Sequence, residues 1–227
     1  MAISERGIVI VVSGVDGAGK STIVNELKAR LSMRHRVETV MAGKPHGKGL
    51  EAARRLLRQG DKGMSRLKTG GRVRSRILLD AVPSVILAVL RWRIARKARK
   101  LADRGILVIS DRWPTREHGK MDGPKIAVTG IGGRRSVLAA LATLELAIYR
   151  RIEPADVAFF LVVDVQTALR RNADRTKRNK ENCEDIIRRH KENDQFDPIA
   201  YRTERVANEG TIQEILSHLE TQIAAVR

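Results

Sequence analysis

Three short stretches of the chain are almost continuously apolar and rich in β-branched residues. They cover residues 7–14, 106–111 and 157–164, and glycines or polar residues bound them. Runs of this kind are typical of strands that are buried on both faces of a parallel sheet. The segment 36–43 is predicted as a further strand, although it carries more polar residues.

Segments with a helical spacing of apolar residues lie between these strands. Residues 21–35 place Ile23, Leu27 and Leu31 on one face, and similar patterns cover 136–152, 186–193 and 211–226. Residues 77–105 predict one long helix with a kink near Pro83. Because strands and helices alternate throughout, the sequence predicts a three-layer α/β fold with a mostly parallel sheet.

The charge of the chain favours anionic partners. The 227 residues carry a formal net charge of +18, with 31% charged and 42% hydrophobic residues. Residues 54–104 form a basic region with 16 Lys or Arg and three acids. Three interpretations remain open for this region: a solvated face, contact with an anionic membrane through the helix that holds Trp92, or contact with nucleic acid phosphates.

Cysteine usage and hydropathy favour the cytoplasm. The single cysteine, Cys183, excludes an intrachain disulfide. The N-terminus has no secretory pattern, and the longest apolar run, 81–90, is too short to span a bilayer. We therefore expect a cytoplasmic protein.

The segment GVDGAGKS, residues 14–21, matches the phosphate-binding pattern G-x-x-x-x-G-K-[ST]. Its glycines allow backbone N–H groups to surround phosphate oxygens, and the helix that follows points its positive dipole end at the same anion. Lys20 is expected to contact the β- and γ-phosphates, and the Ser21 hydroxyl to bind Mg²⁺. The sequence thus predicts ATP and Mg²⁺ as cofactors, with nucleotide contacts from Gly14, Asp16, Gly17, Ala18, Gly19, Lys20, Ser21 and Thr22.

A second motif, ISDRW, ends the third apolar strand. A carboxylate at the carboxyl end of a strand beside a phosphate loop can lie close to the metal. We therefore expect Asp111 to hold Mg²⁺ or to orient the attacking oxygen, and Arg112 to neutralise an acceptor phosphate. The alternative is a surface Asp-Arg turn.

Three motifs in this order resemble the thymidylate kinase family: VSGVDGAGKST, ISDRW, and PADVAFFLVVDVQTALRR followed by a basic run. The resemblance covers residues 7–221. It implies a single P-loop kinase domain over 1–227, an ATP-dependent phosphotransferase and, as in many family members, a homodimer. It also places Asp16 toward the acceptor, Asp111 and Arg112 at the catalytic centre, and a basic lid at about 170–182 that closes over the transferred group. The lid arginines implied are Arg170, Arg171, Arg175 and Arg178, with Arg171 and Arg175 as the catalytic pair.

The acceptor half departs from the family pattern. In place of the family's R-E-P-G segment stands MAGKPHGKG, which offers Lys44, His46 and Lys48, and the helix around Asp80 has no aromatic residue for base stacking. The loop 112–125 supplies other polar groups, namely Arg116, His118, Lys120, Asp122 and Lys125. It forms either an acceptor site or a solvated loop.

The predicted function is therefore transfer of the ATP γ-phosphoryl group to a small acceptor, with a nucleoside monophosphate as the first candidate. A nucleoside, a sugar or a glycan remains open as acceptor. A different class is a P-loop module that uses ATP to regulate attachment to nucleic acid or membrane. The set of Asp16, Asp111, Arg112 and the basic lid favours the kinase, because a binding switch needs no acceptor-side arginine.

Overall fold

The computed structural model describes residues 6–15, 17–43, 69–126, 137–173, 183–193 and 195–226, with backbone only for 69–80, 185 and 189. In chain order the elements are β1 (Val9–Gly14), α1 (Lys20–Ser32), β2 (Val37–Met41), α2 (Thr69–Ala102), β3 (Leu107–Asp111), α3 (Val137–Arg150), β4 (Val157–Val162), α4 (Val165–Ala173), α5 (Cys183–Glu192), β5 (Thr203–Ala207) and α6 (Ile212–Ala224).

The five strands form one parallel sheet in the order β2–β3–β1–β4–β5. This confirms the predicted fold class. The four strands predicted from the sequence are present, and β5 was missed. Its sequence, TERVA, buries only Val206 because it lies at the sheet edge, so it lacks the continuous apolar run of the central strands.

The sheet separates two apolar layers. Ile10 and Val12 of β1 face a core that includes α1 and α6, whereas Val9 and Val11 face the core beneath α2 and α3. Alternate residues of β1 therefore pack into opposite cores, which explains why the strand is apolar at every position. The result is the three-layer arrangement expected from the sequence.

Helix α2 differs from its predicted form. It begins at Thr69, eight residues before the predicted start, and Pro83 lies inside it. Its most deeply buried face consists of alanines, whereas Leu90, Trp92, Ile94 and Leu101, the predicted apolar face, are only partly buried. The buried alanines are Ala81, Ala88, Ala95, Ala98 and Ala102. Small side chains allow a helix to approach the sheet closely, and hydropathy alone does not reveal this.

The cations of α2 divide into two groups. Arg91 and Arg99 are buried, at 3% and 8% exposure, whereas Arg93, Arg96, Lys97 and Lys100 are exposed. The solvated-face interpretation therefore applies to the second group only. Among the described residues, no helix is long and apolar enough to cross a membrane.

The topology places a crevice at the carboxyl ends of β1 and β3. After β1 the chain moves to one side of the sheet, and after β3 it returns to the other side, so the connections diverge between these two neighbouring strands. Crevices of this type are the usual ligand sites of open parallel sheets. The glycine-rich motif and the ISDRW motif both lie at this edge, because Val12 of β1 pairs with Asp111 of β3.

A largely buried ion pair joins α2 to the start of β4, and its loss should be costly. The Arg99 Nη1 donates to both oxygens of Asp156 at 3.0 and 3.2 Å, and the backbone N–H of Val9 donates to Asp156 Oδ2 at 2.7 Å. We expect Asp156→Ala to lower the free energy of unfolding by about 2 kcal/mol, because these donors lose their acceptor. The carboxylate that then remains near Arg99 is the exposed Glu153, at 3.8 Å. Urea unfolding measures this change in free energy.

The matched control is Asp103→Ala, which breaks the ion pair between Arg6 and Asp103 just after the C-terminal end of the same helix. Both side chains of that pair are more than half exposed. The control should cost less than about 0.5 kcal/mol. Equal losses in the two variants would contradict the structural role given to Asp156.

Candidate functional site

The phosphate-binding loop follows β1 and is held by the residue after β5. Gly19, the N-cap of α1, has φ 77° and ψ 11°, the left-handed conformation that favours glycine. The Asn208 Nδ2 donates to the carbonyl oxygen of Ala18 at 2.6 Å. A Cβ on Gly19 would lie 2.6 Å from that same nitrogen. Glycine is therefore required at this position for both conformation and space.

The N-terminus of α1 is suited to an anion. Lys20 is its first residue and is buried at 9% exposure, and its Nζ donates across the loop to the carbonyl oxygen of Val15 at 2.6 Å. Ser21 and Thr22 are exposed beside it. The first turn holds no acidic residue, and among the described residues no side chain caps the helix, so nothing described there offsets its positive end.

Helix α4 brings Arg171 to this loop. The Arg171 Nη1 donates to the carbonyl oxygen of Gly17 at 3.4 Å, and its Nη2 donates to that of Asn208 at 3.2 Å. Arg170, the preceding residue, is exposed. Of the other predicted residues, Asp16, Arg175 and the lid beyond residue 173 lie outside the described part of the chain.

Asp111 ends β3 next to the loop. Its Oδ1 is buried and has no hydrogen-bond partner among the described residues. A carboxylate oxygen in this state is suited to a cation or a hydroxyl. The described residues contain no cluster of three or more His, Cys, Asp or Glu that could hold a metal. The single Asp111 oxygen beside the loop would fit Mg²⁺ that takes its other ligands from phosphate oxygens and water.

Arg112 directly follows Asp111, and its backbone turns away from the direction of β3. Its backbone has φ 66°, and its N–H donates to the carbonyl oxygen of Val12 at 3.0 Å. The Arg112 Nη1 lies 2.8 Å from the Sδ of Met121 and 3.7 Å from Asp122 Oδ2. The guanidinium is thus directed along the loop that follows β3.

Asp122 lies at the centre of a cationic cluster. Its side chain is buried, and the Arg91 Nη2 donates to its Oδ1 at 2.6 Å. Burial raises the pKa of the Asp122 carboxyl, while the charges of Arg91, Arg112, Lys125 and Lys20 oppose this rise. Of these cations, Arg91 and Arg112 contact the carboxylate directly, at 2.6 and 3.7 Å.

The loop that carries Asp122 is anchored from several elements. Glu145 of α3, which is 1% exposed, accepts the N–H groups of Lys125 and Ile126. The N–H of Met121 donates to Asn193 Oδ1 at 2.8 Å, just after α5. Burial lowers the pKa of the Lys125 ammonium. The loop is therefore built into the structure rather than fully solvated.

Of the remaining residues predicted for the acceptor site, one is bonded to the structure and two are exposed. Lys120 donates to the carbonyl oxygen of Glu192, whereas Arg116 and His118 are exposed. The substituted segment with Lys44, His46 and Lys48, and the side chain of Asp80, lie outside the described part of the structure.

The sequence did not indicate three residues of this site. Asn208 follows the strand that was missed, Arg91 was hidden within a long charge run, and Glu145 lies in an otherwise apolar helix. A lone acid on an apolar helix face was the available signal for Glu145, because such a residue is rarely buried without partners. For Arg91, no local pattern distinguishes it from the exposed cations beside it.

Known proteins show the relatives of this chain. It is 31% identical over 180 residues to the uncharacterized ATP-binding protein YghR of Escherichia coli, covering 73% of this chain and 69% of that protein. It is also 31% identical over 170 residues to the thymidylate kinase of Cupriavidus metallidurans, covering 74% and 71%. No family model matches the chain.

A solved structure shares the fold. Thymidylate kinase from Candida albicans superposes with a TM-score of 0.55 over 97% of this chain and 92% of that one, at 18% identity. At this identity the likeness concerns the fold alone. Together with the relatives above, it confirms the resemblance seen in the motifs: the chain belongs to the thymidylate kinase-like family of P-loop proteins.

Proposed function

We propose that the chain is an ATP-dependent kinase that transfers the γ-phosphoryl group to a small, phosphate-bearing acceptor, with a nucleoside monophosphate as the first candidate. The observation that carries the proposal is the junction of β1 and β3. It places the phosphate-binding loop with Lys20 beside the Asp111–Arg112 pair. In this proposal the donor site and the acceptor-side arginine would share one crevice.

The donor half would bind ATP through the loop and the start of α1. Ser21 and Asp111 would hold Mg²⁺, which would neutralise charge on the β- and γ-phosphates. Lys20 would contact the same phosphates; its ammonium lies at the loop, where it donates to the carbonyl oxygen of Val15. The acceptor oxygen would attack the γ-phosphorus as the bond to the bridging oxygen of ADP breaks.

The positive charge of the acceptor half favours a phosphate-bearing acceptor. Arg91, Arg112, Lys125 and Lys20 all act on Asp122, so they outnumber the two buried carboxylates of the loop region, Asp122 and Glu145. A phosphate-bearing acceptor would satisfy this excess, whereas an uncharged nucleoside or sugar would not. Among the relatives, one is named a thymidylate kinase, which agrees with a nucleotide acceptor.

Arg171 would act during transfer. In the described structure its guanidinium donates to backbone carbonyls at the loop. Phosphate oxygens are stronger acceptors for a guanidinium than a carbonyl, so bound ATP would recruit Arg171 to the γ-phosphoryl group. The transition state of phosphoryl transfer spreads charge over three oxygens, and a cation from α4 would stabilise it.

A second candidate is an ATP-regulated module that binds nucleic acid or an anionic membrane. The observation that favours it is the exposed row of cations on α2, formed by Arg93, Arg96, Lys97 and Lys100. This row requires no acceptor site, so it does not account for Asp111 or the Arg112 cluster. We therefore place it second.

The first experiment measures ADP release with Mg-ATP against nucleoside monophosphates including dTMP, free nucleosides, sugars and sugar phosphates. We expect stimulation by a phosphate-bearing compound. Stimulation by uncharged compounds alone would contradict the acceptor class. If the whole panel is silent and salt-sensitive binding to DNA or anionic vesicles responds to ATP, the second candidate replaces the kinase.

Two variants of α1 belong to the same assay. Lys20→Ala should lower turnover by about 100-fold or more, because it removes a cation aimed at the developing charge. Lys28→Ala, at an exposed position of the same helix, should leave turnover unchanged. Thermal unfolding would confirm that both variants fold.

Asp111→Asn tests the role of the β3 carboxylate. We expect kcat to fall by about 100-fold while the Kd for Mg-ATP changes less than about threefold, because the charge matters most in the transition state. Single-turnover kinetics and calorimetric titration separate these quantities. Equal losses in binding and turnover would point to a structural role instead.

Arg171→Met tests the arginine from α4. One charge-assisted hydrogen bond is worth roughly 1.5–3 kcal/mol, so turnover should fall by about tenfold to a hundredfold. Arg170→Met is the control, because that side chain is adjacent but exposed. An unchanged rate in Arg171→Met would remove this residue from the mechanism.

A further inference from the structure

The two carboxylate oxygens of Asp122 have different surroundings. Its Oδ1 accepts a hydrogen bond from Arg91 Nη2 at 2.6 Å. Its Oδ2 is buried, has no hydrogen-bond partner among the described residues, and lies 3.7 Å from Arg112 Nη1. One oxygen therefore fixes the aspartate, and the other faces the arginine expected to bind the acceptor.

Arg91 is itself held from several elements. It donates to the carbonyl oxygens of Ala42 and Gly43, just after β2, at 3.4 and 3.1 Å, and to the hydroxyl of Tyr149 in α3 at 2.7 Å. These contacts use the guanidinium in several directions at once. Asp122 is therefore attached to a side chain that has little freedom to move.

Gly43 supports the same arrangement from another side. A Cβ at this position would lie 2.4 Å from Arg112 Cδ, so the Arg112 side chain lies directly against the glycine backbone. The carbonyl oxygen of this glycine is the one that Arg91 binds. The stem of Arg112 thus lies against Gly43, and its guanidinium lies between Met121 and Asp122.

The pair Arg99–Asp156 shows how a purely structural ion pair on the same helix differs. There both carboxylate oxygens accept hydrogen bonds, from Arg99 and from the N–H of Val9. Asp122 instead directs one oxygen at Arg112 without a hydrogen bond. At 3.7 Å the carboxylate orients the Arg112 guanidinium electrostatically, but its Oδ2 accepts no hydrogen bond from Nη1.

We propose that Asp122, anchored by Arg91, is a positioning residue that sets the direction of Arg112 toward the acceptor phosphate. This inference rests on the proposed kinase function for its consequence, but the contact itself can be tested without substrate. Asp122 touches no reacting atom in this scheme and acts through Arg112.

The first test is a double-mutant cycle in urea with Asp122→Asn, Arg112→Met and the double variant. The asparagine keeps an oxygen for Arg91 and loses the negative charge that faces Arg112. If the two residues are coupled, the shift in urea midpoint caused by Asp122→Asn should be at least halved in the Arg112→Met background. Additive shifts would overturn the proposal, whether or not an acceptor is found.

The second test is kinetic and uses dTMP, or whichever panel compound is phosphorylated. We expect Asp122→Asn to raise the acceptor KM by about tenfold, while kcat and the Kd for Mg-ATP change less than about twofold. Asp156→Asn is the control: it should lower stability and leave the acceptor KM unchanged.

The two tests distinguish failure of the positioning role from failure of the proposed function. A silent panel with a coupled urea cycle would reject the proposed function and keep the contact between Asp122 and Arg112. An active panel in which Asp122→Asn weakens ATP and acceptor equally would keep the function and reject the positioning role.

Discussion

The parallel pairing of β1 with β3 is the constraint on which the site depends. Both strands end at the same edge of the sheet, so the glycine loop and the Asp111–Arg112 pair meet although almost a hundred residues separate them in sequence. The pairing is stable because β1 is buried on both faces and contributes to two cores. The rigidity of the sheet is therefore transmitted to the groups that would hold phosphate.

Many cationic side chains lie around this edge of the sheet, and the folded state has to compensate for their burial. Isolated buried cations would be costly, and Asp122 and Glu145 reduce that cost in different ways. Asp122 is surrounded by cations, whereas Glu145 accepts N–H groups of the loop backbone. The cluster still retains more cations than anions. Such an imbalance is tolerable next to solvent and becomes favourable when an anion binds.

Most of the fold, and the donor half of the site, could be predicted from local pattern. Continuous apolar runs identify β1, β3 and β4, and the glycine spacing identifies the loop. The edge strand β5 could not be found this way, because only one of its residues is buried. Arg91 and Arg99 were equally hidden: their partners, Asp122 and Asp156, lie 31 and 57 residues away, and only the tertiary structure brings them together.

The two halves of the proposed site, for donor and for acceptor, are built by different means, so a substitution can alter one half without the other. The donor half depends on backbone: the conformation of Gly19, the N-terminus of α1 and the carbonyl of Ala18 held by Asn208. Changing such a half would disturb the fold. The acceptor half depends on side chains along one loop, held by Arg91 and Glu145 from helices that pack on the sheet for their own reasons. Substitutions there can change the acceptor while the sheet and the phosphate loop stay intact.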